Sequence, residues 1–166
     1  MLSLNTHAMN NSTFSPLPST PIEIQKTPTM ITLSDAKRIA DASEQMAVSK
    51  GLKIVISIFD NHGNLKYLSR MDGTSVGSIQ VAQLKASTSA NFPVSTMDLA
   101  TRSAGLPANP YSAIPEFLLL GGGLPIVDKN NEHLGSIGVS GATPELDTLC
   151  AQAGIDRFLE SRAAAS

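Results

Sequence analysis

Residues 117 to 145 read FLLLGGGLPIVDKNNEHLGSIGVSGATPE. An apolar run from Phe117 to Leu120 ends in the triplet Gly121-Gly122-Gly123, and a second extended run follows from Leu124 to Val127. Asp128 to Glu132 is a polar turn, and His133 to Ser140 returns as a strand. Thr143-Pro144 then opens a helix, a capping hydroxyl followed by proline at the first helical position. Three strands joined by tight turns therefore precede the last helix. The glycine triplet is no phosphate loop, because Leu124-Pro125-Ile126 continues as strand rather than as Lys-Ser or Lys-Thr opening a helix. It reads as a tight bend whose backbone N–H groups are open to a ligand or to another subunit.

Upstream, Thr32 stands as a helix cap with the Asp35 carboxylate three residues on. Ala36, Ile39, Ala40, Ser43, Met46 and Ala47 recur at helical spacing until Gly51 supplies a left-handed stop. Lys53 to Asp60 is rich in β-branched residues; Asn61-His62-Gly63-Asn64 turns and Leu65 to Ser69 returns, which makes a hairpin. A helix follows from Thr74, with Val76, Ile79, Gln83, Ala86 and Ala90 on one side, and Pro93 ends it. Thr96 to Ser103 is a short helix, and the proline-rich segment from Gly105 to Pro115 is an ordered loop. Strands and helices do not alternate strictly, so a doubly wound parallel sheet is excluded. The pattern predicts an α/β domain of the α+β type, a mainly antiparallel five-stranded sheet with helices packed against it, over residues 31–166.

The first 30 residues differ from the rest. Ser, Thr and Pro dominate, four of the ten prolines lie there, and Glu23 and Lys26 are the only charges, so this segment reads as a disordered tail. It has neither the basic start and apolar run of a secretory signal nor the arginines of a mitochondrial presequence. Across all 166 residues, 42% are apolar and 16% charged, which suits a single domain. Twelve Lys and Arg against fourteen Asp and Glu give a charge of −2, and aromatic residues make up only 4%. That excludes the basic field and stacking platforms of a nucleic-acid partner, and the basic field that anionic lipid requires. No run approaches the about eighteen apolar residues of a membrane span. Cys150 is the only cysteine, so one chain holds no disulfide and no Cys-based metal site, and a cytoplasmic location is expected.

Candidate chemistry gathers at the ends of strands. Arg70-Met71-Asp72-Gly73 puts a cation, a thioether and a carboxylate at a strand-to-helix junction, the kind of place that rims pockets. Lys85 falls on the border of the apolar stripe of its helix, where it can reach a carboxylate inside the fold or hold an acidic ligand group. Glu116, between Pro115 and the apolar run, is a candidate for proton transfer. Ser140 lies at the last strand-to-helix junction but lacks a nucleophile-elbow setting, and Glu145 and Asp147 behind it complement the helix dipole. His7, His62 and His133 fall in the tail and in turns, so no metal site is expected.

Taken together, Arg70-Met71-Asp72-Gly73, the helix segment Gln83-Leu84-Lys85-Ala86-Ser87-Thr88, Phe117 to Ile126 and Gly135-Ser136-Ile137-Gly138-Val139-Ser140-Gly141 resemble the GlcG/HbpS-like family over about Ile31 to Leu159. The resemblance implies a domain that forms symmetric homo-oligomers. It also implies relatives that include haem-binding accessory proteins, the carboxy-terminal domain of PduO-type proteins and possible enzymes on small organic molecules. Family membership fixes architecture better than activity. Haem-binding relatives can use a histidine from the first helix; Leu33 to Lys50 has none, and Met46 is its only soft side chain, so the cofactor is left open.

Two functions follow. One is a small-molecule binder, for haem or a similarly flat compound, with Met46, Met71, Phe92, Gly121, Gly122, Gly123 and Ser140 as ligand-binding candidates. The other is a cofactor-independent isomerase, cyclase, lyase or hydratase of a small organic acid. In it Arg70 or Lys85 would hold a carboxylate or enolate, Glu116 or Asp72 would move a proton, and glycine N–H groups would stabilise an oxyanion. A scaffold whose role is its own oligomer is the third, plainer reading.

Overall fold

In the computed structural model, which describes residues 30–165, the first helix α1 runs over Leu33–Ser49. The tail expected to be disordered, and His7 within it, lie outside the described residues. The Thr32 hydroxyl accepts from the Asp35 backbone N–H at 3.1 Å and the Asp35 carboxylate accepts from Thr32 N–H at 3.3 Å, a reciprocal cap. Strands β1 (Val55–Asp60) and β2 (Leu65–Arg70) form the hairpin. Helices α2 (Gly77–Asn91) and α3 (Thr96–Ala104) follow, then a single 3₁₀ turn at Pro110–Ala113. Strands β3 (Gly123–Val127) and β4 (His133–Ser140) precede α4 (Pro144–Ala164), whose N-cap is Thr143. Among the described residues, no helix is long and apolar enough to cross a membrane.

The sheet is antiparallel throughout, in the order β2-β1-β4-β3. Among the described residues it has four strands, not the five expected. The apolar run Phe117–Leu120 stays outside it because its backbone groups are bonded elsewhere. Leu118 N–H donates to the Thr88 hydroxyl at 3.0 Å, and the Thr96 hydroxyl donates to the Leu120 carbonyl at 2.6 Å. Two threonines from neighbouring helices thus do for this segment what a partner strand would have done.

Because residues alternate along a strand, each face of the sheet collects its own set. Ile56 and Ile58 of β1 pair with Val139 and Ile137 of β4, and with Ile54 just before β1 and Ile39, Ala40, Ile155 and Phe158 of α1 and α4 they belong to the main core. The opposite face carries Ser57, Gly138, Ser136 and Gly123, and α2 lies on it. A Cβ on Gly138 would run into the Ala82 carbonyl oxygen and would stand 2.5 Å from the Ala86 amide nitrogen. The Ser136 hydroxyl donates to the Ala86 carbonyl at 2.6 Å.

This close approach changes which side of α2 is inside. Of Val76, Ile79, Gln83, Ala86 and Ala90, which the helical spacing puts on one side, only the last two are buried. The buried face is Ser78, Ala82, Lys85, Ala86 and Ser89, small except for the lysine, while Val76 is 75% exposed. A strand carrying glycine and serine accepts a helix only through small residues, and that requirement outranks the apolar stripe.

Candidate functional site

Lys85 is 1% exposed and reaches across the end of the sheet to α4. Its ammonium donates to the Asp147 carboxylate and to the Val139 carbonyl, each at 2.9 Å. The other Asp147 oxygen accepts the Ala142 N–H at 2.9 Å. The lysine therefore reaches a carboxylate inside the fold. Asp147, read as a dipole complement, is its partner. Nearby, burial and then the Asp147 charge push the Cys150 thiol up, with Lys50 opposing, so the buried thiol is held in its neutral form.

The glycine triplet packs around this ion pair. A Cβ on Gly122 would lie 2.6 Å from the Val139 oxygen, 2.8 Å from the Lys85 nitrogen and 2.9 Å from the Asp147 Cβ. On Gly123 it would meet the Lys85 carbonyl and the Thr96 methyl at 2.5 Å, and on Gly121 the Met97 methyl at the same distance. All three glycines are buried, and the space a side chain would have taken is filled by protein.

The remaining candidates fall in separate places. Arg70 is exposed at the end of β2, its Nε donating to the Thr74 hydroxyl at 3.2 Å, and Asp72 is exposed beyond it. The Met71 sulfur accepts the Ile54 N–H at 3.4 Å, and Met71 and Met46 both pack against the core cluster. Phe92 is half exposed, in edge contact with Phe117 at 5.0 Å between centroids. Ser140 is buried opposite Val55.

Glu116 stands apart from all of them, over the outer flank of α2. There a hollow of about 570 Å³ is lined by Phe59, Val76, Gly77, Ile79, Gln80, Gln83, Leu84, Ser87 and Glu116. Neither Arg70, Asp72, Lys85 nor the glycine triplet is among those residues. Phe59, Ile79 and Leu84 supply an apolar floor, and the amides of Gln80 and Gln83 and the Glu116 carboxylate supply acceptors and donors. Glu116 has φ +64°, a left-handed conformation that costs an L-residue about 1 kcal/mol or more. Of the groove, sequence reading singled out Glu116 alone. The spacing of Val76, Ile79 and Gln83 marks one side of α2 without saying which way it faces; the glycines of β4 are the signal that the other face is the one that packs.

Haem would need an apolar slot, an iron ligand and partners for its two propionates. The groove offers the slot, but its lining contains no His, Met, Cys, Tyr, Lys or Arg. Elsewhere, His62 is exposed in the β1–β2 turn. His133 is part-buried, and burial pushes its imidazole below the usual histidine range while a backbone hydrogen bond at Gly135 opposes. Its Nε2 is buried without a partner, and so is Asn61 Oδ1, whose amide nitrogen donates to the His133 carbonyl at 3.1 Å. Asp60, in the same turn, is raised by burial, but N–H donation from Asn64 and His62 outweighs this and holds its carboxyl below the usual range. Among the described residues, no group of three or more His, Cys, Asp or Glu could hold a metal ion. A single copy of the groove thus offers an apolar surface to the ring of a haem but, among the described residues, no ligand to its iron.

Residues 31–156 match the family model described as "Haem degrading protein HbpS-like". The uncharacterized 15.0 kDa protein of the dhaT-dhaS intergenic region of Citrobacter freundii is 34% identical over 133 residues, 78% of this chain and 93% of that protein. The crystal structure of a double mutant of Streptomyces reticuli HbpS superposes with a TM-score of 0.73 at 31% identity, covering 86% of this chain and 96% of that one. The crystal structure of a PduOC–haem complex shares the fold, with a TM-score of 0.69 at 24% identity over 78% of this chain and 95% of that one.

Proposed function

The chain belongs to the HbpS-like family, and from that premise we propose that it is a small-molecule-binding protein whose ligand lies in the groove on the outer flank of α2. The observation that carries the reading is the hollow itself, in which an apolar floor is exposed beside a carboxylate held in a strained backbone. The family description and the PduOC complex make haem the first ligand to test. The groove would hold the macrocycle by its face, over Phe59, Ile79 and Leu84, with no iron ligand of its own.

Titration with haem and with iron-free protoporphyrin tests this. Both should bind saturably with similar affinity, and Leu84→Asp should weaken both by about tenfold, the effect of a charge placed on an apolar contact. Binding of haem alone, with a shifted Soret band that His62→Ala abolishes and Leu84→Asp does not, would overturn the reading and move the site to the hairpin turn.

Acid–base catalysis in this groove would rest on Glu116 alone. The charge of Lys85 is neutralised by Asp147, and Arg70 and Asp72 do not line the hollow.

A further inference from the structure

We propose that Glu116 makes the α2 groove selective for flat apolar compounds that carry a protonated nitrogen or another hydrogen-bond donor at one edge. The inference rests on the groove reading above and names its ligand class. Glu116 is the one ionisable residue among those lining the hollow, so the groove has a charge and its sign is negative. The carboxylate makes no hydrogen bond or ion pair with another described residue, so its acceptor capacity is uncommitted. Gln83 adds to the same bias. Its amide nitrogen donates back to the Ile79 carbonyl at 3.2 Å, and its oxygen has no hydrogen-bond partner among the described residues, so the lining residue keeps an uncommitted acceptor.

The floor, by contrast, is apolar: Phe59, almost fully buried against Ala86 and Ala90, lines the hollow together with the half-buried Ile79 and Leu84. A guest must therefore bury a ring and present a donor. An anionic edge meets repulsion at Glu116 instead, so the propionates of a porphyrin would have to point away from it, toward solvent. Glu116 also has a positive φ, which glycine would adopt without strain, so its replacement by glycine relieves strain rather than adding it.

Two probes with the same three-ring body separate the claims: 9-aminoacridine, cationic near neutral pH, and acridine-9-carboxylate, anionic. The full-length protein should bind the cation about fivefold more tightly than the anion, the scale expected for one exposed carboxylate. Glu116→Gln should erase that ratio. Glu116→Gly should erase it too while melting no lower than the parent, because it removes the strained φ, so loss of folding cannot mimic the result. Leu84→Ala, which removes apolar floor without adding a charge, should weaken both dyes.

Equal binding of the two dyes, insensitive to Glu116→Gln but weakened by Leu84→Ala, would overturn the charge selectivity and leave the groove standing. If neither dye binds and Leu84→Asp instead lowers the oligomeric mass, the groove is an interface between copies, and both readings fall.

Discussion

On one face of the sheet, Ile54, Ile56, Ile58, Ile137 and Val139 meet α1 and α4 through branched side chains. On the other, Ser57, Ser136, Gly138 and Gly123 meet Ala82, Lys85, Ala86 and Ser89 of α2 at backbone distance. The first face is held by apolar burial, which is non-directional and tolerates small changes of volume. The second is held by contact between main chains and by a few directed bonds, which do not. The second arrangement also frees Ile79 and Leu84 to line a groove, since the helix docks through its small residues and turns its larger apolar ones outward.

Adding or removing one carbon gives the widest separation between the two faces. Gly138→Ala drives a methyl into the Ala82 carbonyl and the Ala86 amide, atoms that move only if α2 moves. We expect a cost of about 3 kcal/mol or more, at the upper end of overpacking effects. Ile58→Val removes one carbon from the fully buried opposite face and should cost about 0.5–1.5 kcal/mol. Urea unfolding of the two variants measures both. Equal midpoints would mean that α2 is not seated as closely as described.

The Lys85–Asp147 pair comes next. Lys85→Met leaves a buried carboxylate facing only the Ala142 N–H, and the expected loss is about 3–5 kcal/mol. Lys85→Met combined with Asp147→Leu should recover much of it, because no unpaired charge then remains. If the double variant is as unstable as the single one, the pair contributes attraction beyond the relief of its own desolvation. The lysine would then bind α2 to α4 more strongly than an apolar substitute could.

The contrast between the faces also explains what could be read in advance. The capping box at Thr32, the hairpin around Asn61 to Asn64, the strand His133–Ser140 and the Thr143-Pro144 helix start each rest on local chemistry, and the structure has them where the residues put them. The strand that supplies the isoleucine face was legible for the same reason, since the β-branched run Lys53 to Asp60 reports extended structure directly. The α2 face was not, because serine, alanine and glycine carry no apolar signal and their burial depends on a strand about 50 residues away. The same distance hid Asp147 from Lys85, 62 residues apart in sequence. It also made Phe117–Leu120 look like a strand when two remote threonine hydroxyls hold its backbone. The candidate site followed suit: Glu116 could be picked out by its setting, whereas the groove beside it depends on which side of α2 faces the sheet.

Two serines on the α2 face provide the finest test, because they are equally buried and differ only in whether the hydroxyl has a partner. Ser136 donates to the Ala86 carbonyl at 2.6 Å, and removing that hydroxyl as Ser136→Ala should cost about 1 kcal/mol, the net worth of one hydrogen bond. The Ser57 hydroxyl is buried with no hydrogen-bond partner. Ser57→Ala should therefore be neutral or slightly stabilising, since it removes a buried polar group that folding strips of water without return. Thermal melts of the two variants, run side by side, should move in different directions or by clearly different amounts. A matching loss in both would show that the Ser57 hydroxyl is satisfied in solution, and that this face is held by a bonded network rather than by close contact with one directed bond.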